Sequence, residues 1–185
     1  FLEHRRFCVG AEVDLVGPPL PQHEADREEI LQLALHLTCA GAGRRDDLAQ
    51  QALDRVINEH GGVLPSAVQA RFAKAALVRK GGDKAAALAA YVRSCSEARP
   101  ALASYPQLQE PLVHGLFCVA ELQTESGHYA EAIAAFDEIV ARLGDQGDGC
   151  LEQVMLARYN RAVLLRDSGS PDAAAAYRGV ADEGS

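Results

Sequence analysis

The sequence predicts an all-α chain, an α-solenoid of about four antiparallel helix pairs. Three observations carry that reading. A small residue, a glycine seven positions on, a second small residue five further and an aromatic four beyond recur at Ala75, Gly82, Ala87, Tyr91 and at Ala120, Gly127, Ala132, Phe136. A second string, ARFAKAALVRKGG at residues 70–82, returns as ARYNRAVLLRDSG at 157–169, with Phe72 matched by Tyr159, Lys74 by Arg161 and Arg79 by Arg166. Aromatics make up only 5% of the 185 residues and Trp is absent, so close packing falls to Ala and Leu, which suits helices lying on helices better than a β-sandwich. Small residues belong where two helices joined by a tight turn approach most closely, and the aromatic fills the gap toward the next pair.

Residues 1–21 end in Pro18, Pro19 and Pro21, which break helix and interior strand alike, and read as a linker or the tail of a preceding element. The repeat domain then spans 22–185. Ile30, Leu31, Leu33, Ala34, Leu37 and Ala40 give the first helix, over 23–42, a buried face, and GAGRRDD makes its turn. Leu48, Ala49, Ala52, Leu53 and Val56 stripe the second helix, which Gly61 and Gly62 stop. This first pair is degenerate, since Gly43 to Ala49 is six residues and Leu53 replaces the aromatic.

The second pair opens with Pro65 and Ser66, the latter expected as an N-cap, and its return helix is expected to stop near Pro100. Residues 107–143 form the third pair. In the fourth, Ser170 is placed to cap and Pro171 to take the first helical position, while Ala174 to Tyr177 is three residues instead of four, which shifts the last helix by one position. The turn glycines Gly43, Gly82, Gly127 and Gly169 lie 39, 45 and 42 residues apart.

This pattern of small residue, turn glycine, small residue and aromatic resembles the tetratricopeptide repeat (TPR) family, over about residues 24–181. The spacing exceeds the roughly 34-residue period usual there. The resemblance implies a right-handed superhelix with the first helix of each pair lining the concave side, and a function in holding proteins or peptides. The Lys and Asn set with which some TPR proteins clamp a chaperone C-terminus is not reproduced.

A net charge of −8 argues against nucleic acid or an anionic membrane as the main partner. Cys8, Cys39, Cys95, Cys118 and Cys150 are odd in number and contain no CxxC, so the reading is a reducing, cytoplasmic setting without a zinc site. No apolar run reaches the ~20 residues of a membrane span. The chain begins at Phe1 and its only methionine is Met155, which reads as part of something longer; the end after residue 181 lacks a capping helix, so either missing sequence or another chain, a second copy included, is expected to cover it. No phosphate loop is present, since KGGDK at 80–84 lacks GxxxxGK[ST]. His23 and Glu24 begin an HExxH-like string, but Arg27 stands where the second histidine would be. His114 is scattered from other histidines, and Glu121 with Glu125 reads as a solvated helix face. No cofactor, metal or catalytic residue is therefore expected, and the chain is read as non-enzymatic.

Charge distribution is more informative. Residues 61–100 hold seven cations (Arg71, Lys74, Arg79, Lys80, Lys84, Arg93, Arg99) against Asp83 and Glu97 in an otherwise acidic chain. Arg71, Lys74 and Arg79 recur as Arg158, Arg161 and Arg166, whereas the intervening first helix offers Glu121 and Glu125, so stacked helices alternate in charge. Two accounts stand. In one, these cations pair across neighbouring helices or sit in water. In the other, arginines on the concave side hold carboxylates of an acidic segment, Phe72, Phe117 and Tyr159 form an aromatic ladder on the same surface, and Asn160 bonds a peptide backbone. The functional reading is a protein or peptide scaffold; the rival is a sensor or regulatory segment of a larger signalling protein, such as a nucleotide-dependent switch, a transcription regulator or a protease.

Overall fold

A computed structural model of the chain describes residues 44–58, 65–144 and 148–183. Among the described residues seven α-helices follow one another: α1 (Arg44–Asn58), α2 (Pro65–Lys80), α3 (Lys84–Ala101), α4 (Gln109–Glu125), α5 (Tyr129–Leu143), α6 (Leu151–Asp167) and α7 (Ala173–Glu183). Short 3-10 turns occupy Pro106–Leu108 and Asp148–Cys150, and there is no strand among the described residues. The expected linker over 1–21 and helix over 23–42 lie outside the described residues.

Helix starts differ from the sequence reading in two places. Arg44 to Asp47, expected in a turn, form the first turn of α1, where Asp46 and Asp47 meet the partial positive charge of the helix N-terminus. Ser66 does not cap α2. Pro65 is already the first helical residue, a position where its missing N–H is no loss, so Ser66 falls one step inside, 2% exposed, its hydroxyl without a hydrogen-bond partner among the described residues. Asp83 does cap α3, its Oδ1 accepting from the Ala86 N–H at 2.9 Å. Pro100 lies in the last turn of α3, which ends one residue later at Ala101.

The turns explain the repeating glycine. Gly82, Gly127 and Gly169 have φ of 90°, 76° and 72°, a left-handed conformation that only glycine adopts without cost, although a Cβ at each would meet nothing within 4 Å. At Gly127 the crossed bonds His128 N–H to Gln123 O (2.9 Å) and Gly127 N–H to Thr124 O (3.0 Å) close α4, and the bonds Ser170 N–H to Leu165 O and Gly169 N–H to Arg166 O close α6 identically. Each turn sends the chain back along the helix it has left.

Packing runs mainly between consecutive helices, with only slight contact between α2 and α4. At the closest approaches Ala75, Ala87, Ala120 and Ala132 are all 0% exposed, with Tyr91 and Phe136 buried beside them in the main core. Ala132→Leu should therefore overpack the α4–α5 contact and cost about 1 to 3 kcal/mol. An unchanged urea midpoint would remove this assignment of the contact.

The last helix is shifted as its spacing foretold. Ser170 Oγ accepts from the Asp172 N–H at 3.3 Å, regular helix starts only at Ala173, and the inward position falls on Ala173 while Ala174 is exposed. Tyr177 keeps its four-residue distance from Ala173 and its ring meets Tyr159 edge-on at 6.2 Å between centroids.

A candidate interaction surface

The cations of the basic band are held by carboxylates, on neighbouring helices except for Arg93, which pairs with Glu97 within α3, and their partners divide them between two sides of the molecule. Lys74 on α2 pairs with Asp54 on α1, Lys80 with Asp46 on α1 (2.8 Å) and Arg71 with Glu97 on α3 (3.1 Å). In the fourth pair Arg161 reaches Asp137 on α5 at 2.5 Å, the counterpart of the Lys74–Asp54 pair. All these partners sit on second helices of pairs. Arg79 points the other way, to Glu121 on α4 at 2.8 Å, and Lys84 to Glu125 at 2.9 Å. The alternation of basic α2 and acidic α4 is thus realised as ion pairs.

These side chains are correspondingly tuned. Burial works against the charge on Arg79, but the hydrogen bond and field of Glu121 outweigh it and hold its pKa above the usual value. The hydrogen bond from Lys84 lowers Glu125, and the one Arg166 donates to Asp167 raises Arg166, which turns to its own neighbour where its counterpart Arg79 reaches across helices. Arg99 Nε and Nη2 grip both oxygens of Glu138 at 2.9 and 2.8 Å, Arg142 adds a bond at 2.8 Å, and Glu138 is pulled below the ordinary carboxylate range, chiefly by Arg99. Most of these pairs are exposed, a setting in which each contributes about 0 to 1 kcal/mol.

Arg79 also donates to the Cys118 sulfur at 3.5 Å, at the edge of the core. Burial pushes the Tyr91 hydroxyl and the Cys118 thiol up, and the two are hydrogen-bonded; burial likewise pushes the Cys95 thiol up to about 12. Such thiols are poor nucleophiles. Among the described residues no three His, Cys, Asp or Glu side chains gather where they could hold a metal, and no helix is long and apolar enough to cross a membrane. His114 is exposed on α4.

The aromatic residues do not form an open ladder. Phe72 is only 6% exposed and its ring lies over Gly115 of α4, Phe117 is half-buried and meets Phe136 edge-on at 5.9 Å, and Tyr159 alone stays 50% exposed. They fill the space toward the return helix or the next pair. Asn160 and Arg158 are both half-buried beside Tyr159.

Two equivalent grooves gather the repeated cations. One, of about 360 Å³, lies between α1, α2 and α3 and is lined by Arg71, Lys74 and Arg93 around Ile57, Val78 and the small side chains of Ala75, Ala89 and Ala90. The other, of about 220 Å³, lies between α5, α6 and α7 and is lined by Arg158, Arg161 and Asp137 around Val140, Ala176 and Val180. The corresponding positions of α4 are Leu116 and Val119, both buried, so the middle joint is apolar. Arg71, Lys74 and Arg161 therefore face the second helices and not the side shared by the first helices, where sequence reasoning placed the arginines. Ile57 and Arg93 escaped the sequence reading because their part in the groove depends on how three helices meet. No protein-family model matches the chain, and comparison with curated proteins gave no match either.

Proposed function

We propose that the chain is a non-enzymatic interaction module, a TPR-like α-solenoid of antiparallel helix pairs that holds another protein or a peptide. The observation that carries this reading is the recurrence of one groove, with the same pair of cations at its mouth, in the second and fourth pairs. Packing restricted mainly to neighbours supports the solenoid, because each pair then presents its groove independently of the others. Among the described residues most of the charged side chains that converge do so as ion pairs.

Replacing Arg158 and Arg161 together by Ala tests the module. Charge-assisted bonds shielded by a partner contribute about 1.5 to 3 kcal/mol each, so affinity should fall at least ~10-fold with helical content intact. Proteins captured from a native lysate by wild-type and doubly substituted chains, at low and moderate salt, provide the measurement. Identical bound sets under both changes would remove the repeated cations from the function.

A further inference from the structure

The groove between α1, α2 and α3 has a wall of unusual composition for this chain. Its lining holds three cations, Arg71, Lys74 and Arg93, and no carboxylate, in a protein of net charge −8. The two acids that pair with these three cations are not part of the lining. Asp54 takes Lys74 from the α1 side, and a single Glu97 serves both Arg71 and Arg93, each at 3.1 Å. The Arg71 contact is a close approach without hydrogen-bond alignment, since Glu97 Oε2 accepts no hydrogen bond. Two guanidinium groups, each a fork of several N–H donors, thus share one carboxylate. Between them the floor is apolar and shallow, made of Ile57 and Val78 with Ala75, Ala89 and Ala90, and at about 360 Å³ it is near the small end of the ~300 to 1,000 Å³ range of ligand pockets.

We infer that this groove binds an extended protein segment in which acidic side chains alternate with small aliphatic ones, the aliphatic groups resting on the alanine floor and the carboxylates taken by Arg71 and Arg93. The inference rests on the reading of the chain as an interaction module and adds the site and the chemistry of its occupant. Both requirements come from the wall: a neutral segment leaves the cation excess unanswered, and a polyanion without apolar groups leaves Ile57 and Val78 in water. Alternation suits the geometry because side chains of an extended segment point alternately to opposite sides, so one set seats on the floor while the other flanks the cations. The groove of the fourth pair is smaller and carries Asp137 in its own wall, so its excess of positive charge is lower.

The probe is a fluorescein-labelled peptide of alternating Glu and Val, compared by anisotropy with its Gln–Val counterpart and with a single-stranded oligonucleotide. The Glu–Val peptide should bind and the Gln–Val peptide at least ~10-fold more weakly, with loss of binding as salt is raised. Arg71→Ala/Arg93→Ala should reduce binding by a similar factor, while Lys84→Ala, on the opposite side, should leave it unchanged; circular dichroism reports that each variant is folded. Equal binding of both peptides, indifference to the Arg71/Arg93 change, tighter binding of the oligonucleotide, or no peptide binding at all would each overturn the inference. If the peptide fails while lysate capture still depends on Arg158 and Arg161, the groove falls and the module stands; if both fail, the module falls as well.

Discussion

Tyr91→Ala should lower the stability of the chain by about 3 to 5 kcal/mol, the cost of emptying an aromatic-sized space in a core that closes only in part. Among the described residues Tyr91, 1% exposed, heads the largest fully buried side chains, in the cluster that joins α2 to α6. Its hydroxyl is bonded to the Cys118 thiol, so two effects are removed together. Tyr91→Phe separates them: the ring stays, and loss of the hydroxyl alone should cost about 0.5 to 1.5 kcal/mol. Urea titrations with unchanged slopes would read both differences. An Ala variant no less stable than the Phe variant would show that the ring does not hold the pairs together.

Gly115→Val is expected to cost about 3 kcal/mol, the upper end of the usual overpacking range, although a glycine inside a helix is ordinarily a weak point that a larger residue improves. The reason lies across the interface. A Cβ on Gly115 would stand 2.3 Å from Phe72 Cε1 and 3.1 Å from Cys95 Sγ, and the Phe72 ring, 6% exposed, has nowhere to retreat. In a Phe72→Ala background the same substitution should cost far less, or restore part of what the first change lost. Additive losses in that double-mutant cycle would disprove the direct contact.

These two positions show what the sequence made legible. Tyr91 announced itself, because its distance from Gly82 and Ala87 repeats at Phe136; the period required a buried aromatic there whatever the partners. Gly115 did not, since nothing local separates a glycine that weakens α4 from one that lets Phe72 sit against its backbone. The same limit governs the charges. Sequence reading found Arg71, Lys74, Arg158 and Arg161 as recurrent cations, but Asp54 and Glu121 lie 20 and 42 residues from the partners they hold. Only the packing direction of α2 tells that Lys74 and Arg79 leave it on different sides. The displaced register of α7 was readable from Ala174 and Tyr177, whereas Ser66 misled because a serine after a proline fits both an N-cap and a first turn.

Packing restricted mainly to chain neighbours also sets how the molecule comes apart. Contacts between segments close in sequence need only short loops to be closed, which favours rapid folding. Between 173 and 182 no residue of α7 is fully buried, so this helix can detach by giving up mainly its contact with α6, while α3, α4 and α5 keep the common cluster intact. The chain then behaves as a graded series of stabilities in which amide protons of α7 exchange with solvent through local opening, and those around Tyr91 wait for global unfolding. A partner seated across α1 and α2 would slow exchange in its own groove first, and leave the far end of the molecule to fray as before.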